Sequence, residues 1–152
     1  MEIVDLKKYP NYLKEYIILC SEEWGKKKSK NEMISYVAKK ESDVINGDKV
    51  ISALGLVEDD TLLGFISLFK YEDDINDEYT PWYATMYVKK EYRGKGYSRL
   101  LNDALIKEAK ILGYDKVYLK TTLDNYYEKF GAKFVKQIDD KEKLYYIDLK
   151  GQ

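Results

Sequence analysis

The chain has 152 residues, 45% apolar and 35% charged, with 26 basic against 27 acidic side chains and a formal net charge of −1. That length suits one domain, 1–152, with a proper core, and the charge balance argues against a general nucleic-acid binder. Histidine is absent, which removes Ser-His-Asp and Cys-His catalysis and imidazole zinc sites and leaves carboxylates, lysines, tyrosines, one cysteine or water to move protons.

"EIVDL" reads as a short first strand. The opening "MEIVDLKKYP" contains acidic residues and lacks an apolar core of signal-peptide length. No apolar run approaches the ~20 residues needed to cross a membrane, so a cytoplasmic protein without a membrane partner is expected. From Pro10 to Trp24, Tyr12, Leu13, Tyr16, Ile17 and Cys20 recur at three and four, a helical spacing opened by a proline at a favoured first position. Cys20 is the lone cysteine. It cannot form an internal disulfide, fits a reducing compartment, and reads as a small packing hydrophobe. "GKKKSKN" is a polar, solvated break, after which Asn31 can cap a second helix through Met33, Ile34, Val37 and Ala38. "NGD" is a turn signal.

"VISALGLVE" and "TLLGFISLFK", separated by Asp59-Asp60, read as an antiparallel hairpin. "YEDDINDEYTP" is a polar loop with five carboxylates between Glu72 and Glu78; it is either a solvated loop or a lure for a cationic partner. "WYATMYV" is a strand rich in β-formers. "EYRGKGYSRLL" then runs into a helix whose Leu100, Leu101, Ala104, Leu105, Glu108, Ile111 and Leu112 fall mostly on one face, with Gly113 as its stop. "KVYLKT" is a strand. "DNYYEKFG" is a short helix with Asp124 as cap and Gly131 as stop. "KFVKQI" and "KLYYIDL" close the chain around a "DDKE" turn. The order β-α-α-β-β-β-α-β-α-β-β gives an α/β (α+β) sandwich around a mixed, mostly antiparallel sheet.

"EYRGKGYSRLL" holds Arg93 and Arg99, and the chain has no other arginine. A strand, a glycine turn and a helix together make an anion device. Helix N-termini carry unsatisfied N–H groups and partial positive charge, and glycines let the backbone curl those donors around a phosphate. Arginine adds planar donors. A plain tight turn with a solvated Arg99 competes with that reading. A dinucleotide fold does not fit, because Gly96 is followed by "YSR" and Asp115 precedes its strand. "GKGY" also fails the Walker pattern.

"MYVKKEYRGKGYSRLL" resembles the acyl-CoA-binding segment of the GNAT N-acetyltransferase superfamily, with its [QR]-x-x-G-x-[GA] pattern on Glu91 to Gly96. Gly94 and Gly96 match; Glu91 replaces the Gln or Arg, and Ser98 stands at a frequent third glycine. "LDNYYEKFGAKFV" is similar to the family's Y-x-x-x-G-[FA] segment, with Tyr127 as the tyrosine and Gly131 four residues on. The resemblance covers roughly residues 50–135. It implies acetyl-CoA as cosubstrate, no metal, and an amine acceptor, small molecule or peptide. The pyrophosphate would lie on the backbone of Arg93, Gly94, Lys95, Gly96, Tyr97 and Ser98. Met86, Tyr87 and Val88 would run along the pantetheine and supply an oxyanion donor. Tyr127 would protonate the leaving thiolate. Lys120 stands where many relatives carry an Asn, a role Asn125 would have to fill. No carboxylate stands on "WYATMYV", so Thr85, Tyr83 or Tyr87 is left to orient a water as base. A non-catalytic acyl-CoA-binding or sensing module is the alternative. Acceptor, acyl length, base and a monomeric or homodimeric state stay open at this stage.

Overall fold

The computed structural model describes residues 1–72, 75 and 78–150. Strand β1 (Glu2–Asp5) leads through a 3-10 turn into helices α1 (Pro10–Trp24) and α2 (Lys30–Asn46). Strands β2 (Val50–Glu58), β3 (Thr61–Phe69) and β4 (Trp82–Val88) precede helix α3 (Tyr97–Ile111). Strands β5 (Lys116–Thr121), β6 (Lys133–Gln137) and β7 (Lys143–Asp148) end the fold. The seven strands form one sheet in the order β1-β2-β3-β4-β5-β7-β6, antiparallel except for the β4–β5 pair. The α/β class and the order of strands read from the sequence are those observed.

Helices cover both faces of the sheet. Leu101, Leu105 and Ala109 of α3 pack with Leu54, Leu56, Ile66, Leu68, Leu119 and Ile147. Leu13, Tyr16 and Ile17 of α1 and Val44 of α2 pack with Ala53, Val57, Leu62 and Phe65. Strands buried on both faces need no polar alternation, which is why β2 and β3 read as continuous apolar runs. The β2–β3 loop is the two-residue Asp59-Asp60 turn, with φ of +51° and +60°. Two successive left-handed residues are what a type I′ hairpin demands.

Three local expectations are corrected. Helix α2 is capped by Ser29, not Asn31. The Ser29 hydroxyl accepts from the Glu32 N–H at 3.2 Å, and the Glu32 carboxylate accepts from the Ser29 N–H at 2.9 Å. This reciprocal S-x-x-E box satisfies two orphan donors at once, which Asn31 alone could not. The buried stripe of α3 is Leu101, Asn102, Leu105, Ile106 and Ala109; Leu100, Leu112 and Ile111 stay outside, Ile111 at 70% exposure. Glu108 belongs near the sheet for a polar reason, accepting from the Ser52 hydroxyl at 2.9 Å. The third correction falls on "DNYYEKFG", which makes only a 3-10 turn at Tyr127–Phe130. Asn125 has φ +58°, a left-handed angle that interrupts any helix started at Asp124. Asp124 instead forms an ion pair with Lys143. Gly131, at φ +89°, ends the turn as expected. Asp73, Asp74 and Asp77 of the acidic loop lie outside the described residues.

The hairpin turn offers a direct check. Asp60→Gly creates Asp-Gly, the preferred type I′ pair, and relieves one left-handed Cβ. Urea unfolding should show about 1 kcal/mol of added stability at unchanged m-value. A lower midpoint would mean that the Asp60 side chain stabilises the loop by more than its backbone angle costs.

Candidate active site

Strand β4 is irregular at its centre. Ser67 pairs with Ala84 and Phe65 with Tyr87, so Thr85 and Met86 together oppose Ile66, a β-bulge. Thr85 has φ +49°. A β-branched residue there is a true outlier, costing about 1–3 kcal/mol unless its surroundings fix it. They do. The Thr85 hydroxyl donates to Ser67 Oγ at 2.6 Å, and Ser67 Oγ shares a second hydrogen bond with the Tyr16 hydroxyl, also at 2.6 Å. Ser67 and Tyr16 are buried, and burial raises the Tyr16 phenol well above its ordinary value, so the cluster stays a neutral set of hydroxyls. Gly64 permits the close fit of β3 on β4: a Cβ there would stand 2.6 Å from the Tyr87 carbonyl oxygen.

On its other edge β4 meets β5 at a single pair, Trp82 with Tyr118. Beyond that pair the strands part, and two cavities open. One, of about 410 Å³, lies under the glycine turn and is lined by Met86, Tyr87, Val88, Arg93, Gly94, Gly96, Tyr97 and Ser98. The other, of about 870 Å³, is walled by Phe69, Trp82, Tyr83, Thr85 and Leu119, with Glu72, Glu142, Lys49 and Lys120 among its polar groups. Glu23, Trp24, Met86, Leu123 and Tyr127 line both. The cavities therefore meet at Tyr127.

The glycine turn has the geometry of an anion cradle. Gly94 and Gly96 have φ of +80° and +81°, and a Cβ built on either meets nothing within 4 Å. Space and left-handed backbone coincide, so the donors can be approached closely. The Arg99 N–H reaches the Gly96 carbonyl at 3.2 Å and the Arg93 N–H reaches Lys90 at 3.3 Å. Among the described residues, the N–H groups from Gly94 to Ser98 have no such carbonyl. Five such donors in a glycine turn at a helix N-terminus suit a phosphate group.

Both arginines are engaged within the protein. Arg93 donates from Nε to the Val88 carbonyl at 2.7 Å and lies 5.5 Å over the Tyr87 ring. Arg99 donates to the Lys129 carbonyl at 3.1 Å and lies 4.5 Å over the Phe130 ring. Lys95 reaches over the Tyr92 ring at 6.0 Å. Lys95 and Asn125 are exposed and line neither cavity. Lys120 pairs with Glu72 at 3.1 Å.

Tyr127 is half-buried between aromatic neighbours, edge-on to Tyr83 at 5.9 Å and to Tyr126 at 4.8 Å. Burial, with Tyr126 beside it, pushes its phenol up to about 12. Burial raises Tyr83 still further, and its hydroxyl contacts the Met86 sulfur at 3.4 Å. Cys20 is half-buried against the α1 side of the core, with its thiol pushed up to about 12 by burial, as a packing residue should be. Sequence reasoning missed Glu23 and Trp24 at the end of α1. Neither carries a motif that would single it out; Trp24 is 52% exposed, and its ring stands edge-on to Tyr87 at 6.3 Å.

A family model described as the acetyltransferase (GNAT) family matches residues 11–132. No curated protein matches the chain. Solved structures do. An aminoglycoside 6'-N-acetyltransferase complexed with coenzyme A superposes with a TM-score of 0.74 at 17% identity, over 100% of this chain and 99% of that one. An aminoglycoside 6'-acetyltransferase type Ii gives 0.70 at 21% identity over 100% and 99%. The PaiA N-acetyltransferase from Thermoplasma acidophilum, in complex with coenzyme A, gives 0.63 at 21% identity over 97% and 98%. At such identities the likeness is one of fold.

The hydroxyl cluster is testable by itself. Ser67→Ala strips Thr85 and Tyr16 of their shared partner and should cost about 1–3 kcal/mol in urea unfolding. Adding Thr85→Gly should recover part of that loss, because glycine accepts φ +49° without a clamp. Strict additivity of the two losses would show that the hydroxyls do not offset the strain.

Proposed function

The chain belongs to the GNAT acetyltransferase family, and from that premise we propose that it moves an acetyl group from acetyl-CoA to a primary amine by direct attack. The junction of the two cavities at Tyr127 and Met86 carries the reading. A thioester held on one side and an amine on the other would meet there, already oriented.

The backbone N–H groups from Gly94 to Ser98 fit the donor's pyrophosphate. The edge of β4 at Met86, Tyr87 and Val88, which β5 leaves, fits an extended amide-bearing arm as an added strand. A backbone N–H of that edge would also stabilise the oxyanion of the attacked carbonyl. The Arg93 N–H is engaged with Lys90, so the cradle we assign begins at Gly94.

Tyr127 faces the leaving sulfur in this reading. With its phenol pushed up to about 12, it stays protonated near neutral pH. Complete transfer to a thiolate of ordinary pKa about 8.5 would run uphill by several kcal/mol. We therefore assign it a hydrogen bond that stabilises the departing thiolate, the neutral amine having attacked and the proton coming from the nitrogen of the resulting tetrahedral intermediate or from water.

The acceptor class is a cationic amine. Three carboxylates, Glu23, Glu72 and Glu142, stand against Lys49 and Lys120 in the second cavity beside aromatic walls, with Glu72 paired to Lys120, and the carboxylate excess favours ammonium groups. The aminoglycoside acetyltransferases among the structural neighbours support the same class. Among the described residues, Glu23 is the carboxylate lining both cavities, and we assign it the base role through a water, since β4 itself offers none.

Thiol release from acetyl-CoA with a panel of aminoglycosides bearing a 6'-amine, polyamines and peptide amines tests this. Tyr127→Phe should lower kcat about a hundredfold while the Kd for acetyl-CoA moves less than about twofold. Gly96→Val should abolish binding, because its Cβ would enter the open cradle at a left-handed φ. Unchanged turnover in Tyr127→Phe would remove Tyr127 from the mechanism. Acetyl-CoA binding without turnover across the panel would favour a non-catalytic acyl-CoA module.

A further inference from the structure

We propose that Arg99 is a positioning residue for Tyr127, fastening the 3-10 turn that carries this tyrosine to the first turn of α3. The proposal rests on the reading of Tyr127 as the partner of the CoA sulfur. It goes beyond that reading by saying what aims the phenol.

Tyr127 stands on a turn of four residues, Tyr127–Phe130, with no side-chain cap. So short a piece cannot hold itself, because one turn fixes many dihedrals for few hydrogen bonds. Its carbonyls must therefore find partners beyond the turn. Those of Tyr127 and Glu128 accept from Ala132 and Gly131, at 3.2 and 3.0 Å. The Lys129 carbonyl accepts from Arg99 Nη2 at 3.1 Å. The same guanidinium lies 4.5 Å over the ring of Phe130, a buried residue whose ring is 6.2 Å from that of Tyr127. Arg99 thus grips the carbonyl two residues and the ring three residues after the tyrosine. It lines neither cavity, so a contact with the reacting groups is not its role.

The residue type fits the task. A guanidinium can donate in its plane and stack through its face at once, whereas an ammonium is a single hydrated point of charge. The chain has 26 basic residues and only two arginines. Both use this double contact, Arg93 on the Val88 carbonyl and the Tyr87 ring, and Arg99 on the turn of Tyr127. The two arginines thus flank the glycine turn at the start of α3, Arg93 tied to β4 and Arg99 to the turn of Tyr127.

Calorimetric titration with CoA and with desulfo-CoA, which lacks the sulfur, tests the proposal without an acceptor. At pH 9, above the ordinary thiol pKa of about 8.5, the wild type should bind CoA about fivefold or more tighter than desulfo-CoA. Tyr127→Phe should erase that preference. Arg99→Ala should also erase most of it while its Kd for desulfo-CoA stays within about twofold of wild type, and Arg99→Lys should restore part. The double variant should be no worse than Tyr127→Phe, since Arg99 acts through the tyrosine. An Arg99→Ala protein that keeps the wild-type preference overturns the proposal. So does one that binds both ligands equally weakly, because that marks a general structural or phosphate role. A wild type without preference, or a Tyr127→Phe variant that retains it, would instead remove Tyr127 from the sulfur and the proposal with it.

Discussion

A β-branched residue held at a left-handed backbone angle stands in the middle of β4, and the site is arranged around it. Thr85 keeps φ +49° because its hydroxyl is bound to Ser67, which is bound in turn to Tyr16 of α1. The clamp joins helix, β3 and β4 through groups that stay neutral, so its strength does not depend on pH near neutrality. The bulge it holds lies on the stretch of β4 that parts from β5 after Trp82 and Tyr118. Strain on one edge of the strand and the opening on its other edge thus coincide, and the cavities meet beside them.

The parted edge and the glycine turn are consecutive in the chain, and this continuity matters. Backbone that leaves β4 as an unpaired edge becomes, a few residues later, a ring of N–H donors at the start of α3. A ligand with a phosphate at one end and an amide-bearing arm would find both features in line. Main-chain groups would supply much of such recognition, and departures at Glu91 and Ser98 leave those groups in place. Side-chain charge in the turn is partly committed elsewhere. Arg93 and Arg99 are hydrogen-bonded to carbonyls and stacked on rings.

Without histidine, the junction works with phenols and carboxylates. Tyr83, Tyr126 and Tyr127 pack against one another there, and burial raises Tyr83 and Tyr127 far above neutral pH. Such phenols stay protonated near neutral pH and can donate hydrogen bonds. Catalysis by orientation and dipole suits that composition. The carboxylates Glu23, Glu72 and Glu142 line the second cavity.

Strand identities, the hairpin turn and the glycine turn were legible because each is local. Alternation, glycine placement and helix spacing act over a few residues, and α1 and β2 to β5 lie where those signals put them. The short helix at "DNYYEKFG" was misread because Asn125 adopts φ +58°, which no spacing announces. The buried stripe of α3 was misplaced by about one position, since Leu100 and Ile111 look as apolar as the residues that pack. Glu23 and Trp24 carried no motif; they reach the site only because α1 ends beside β4. The sequence by itself determined the order of elements, the glycine cradle and the tyrosine on its turn, all products of near-neighbour chemistry. Tertiary structure alone decided that β4 and β5 diverge, that Arg99 braces the turn of Tyr127, and that Glu23 stands at the junction. Those facts depend on contacts between residues up to a hundred positions apart, where packing and shared hydrogen bonds, not local propensity, fix the geometry.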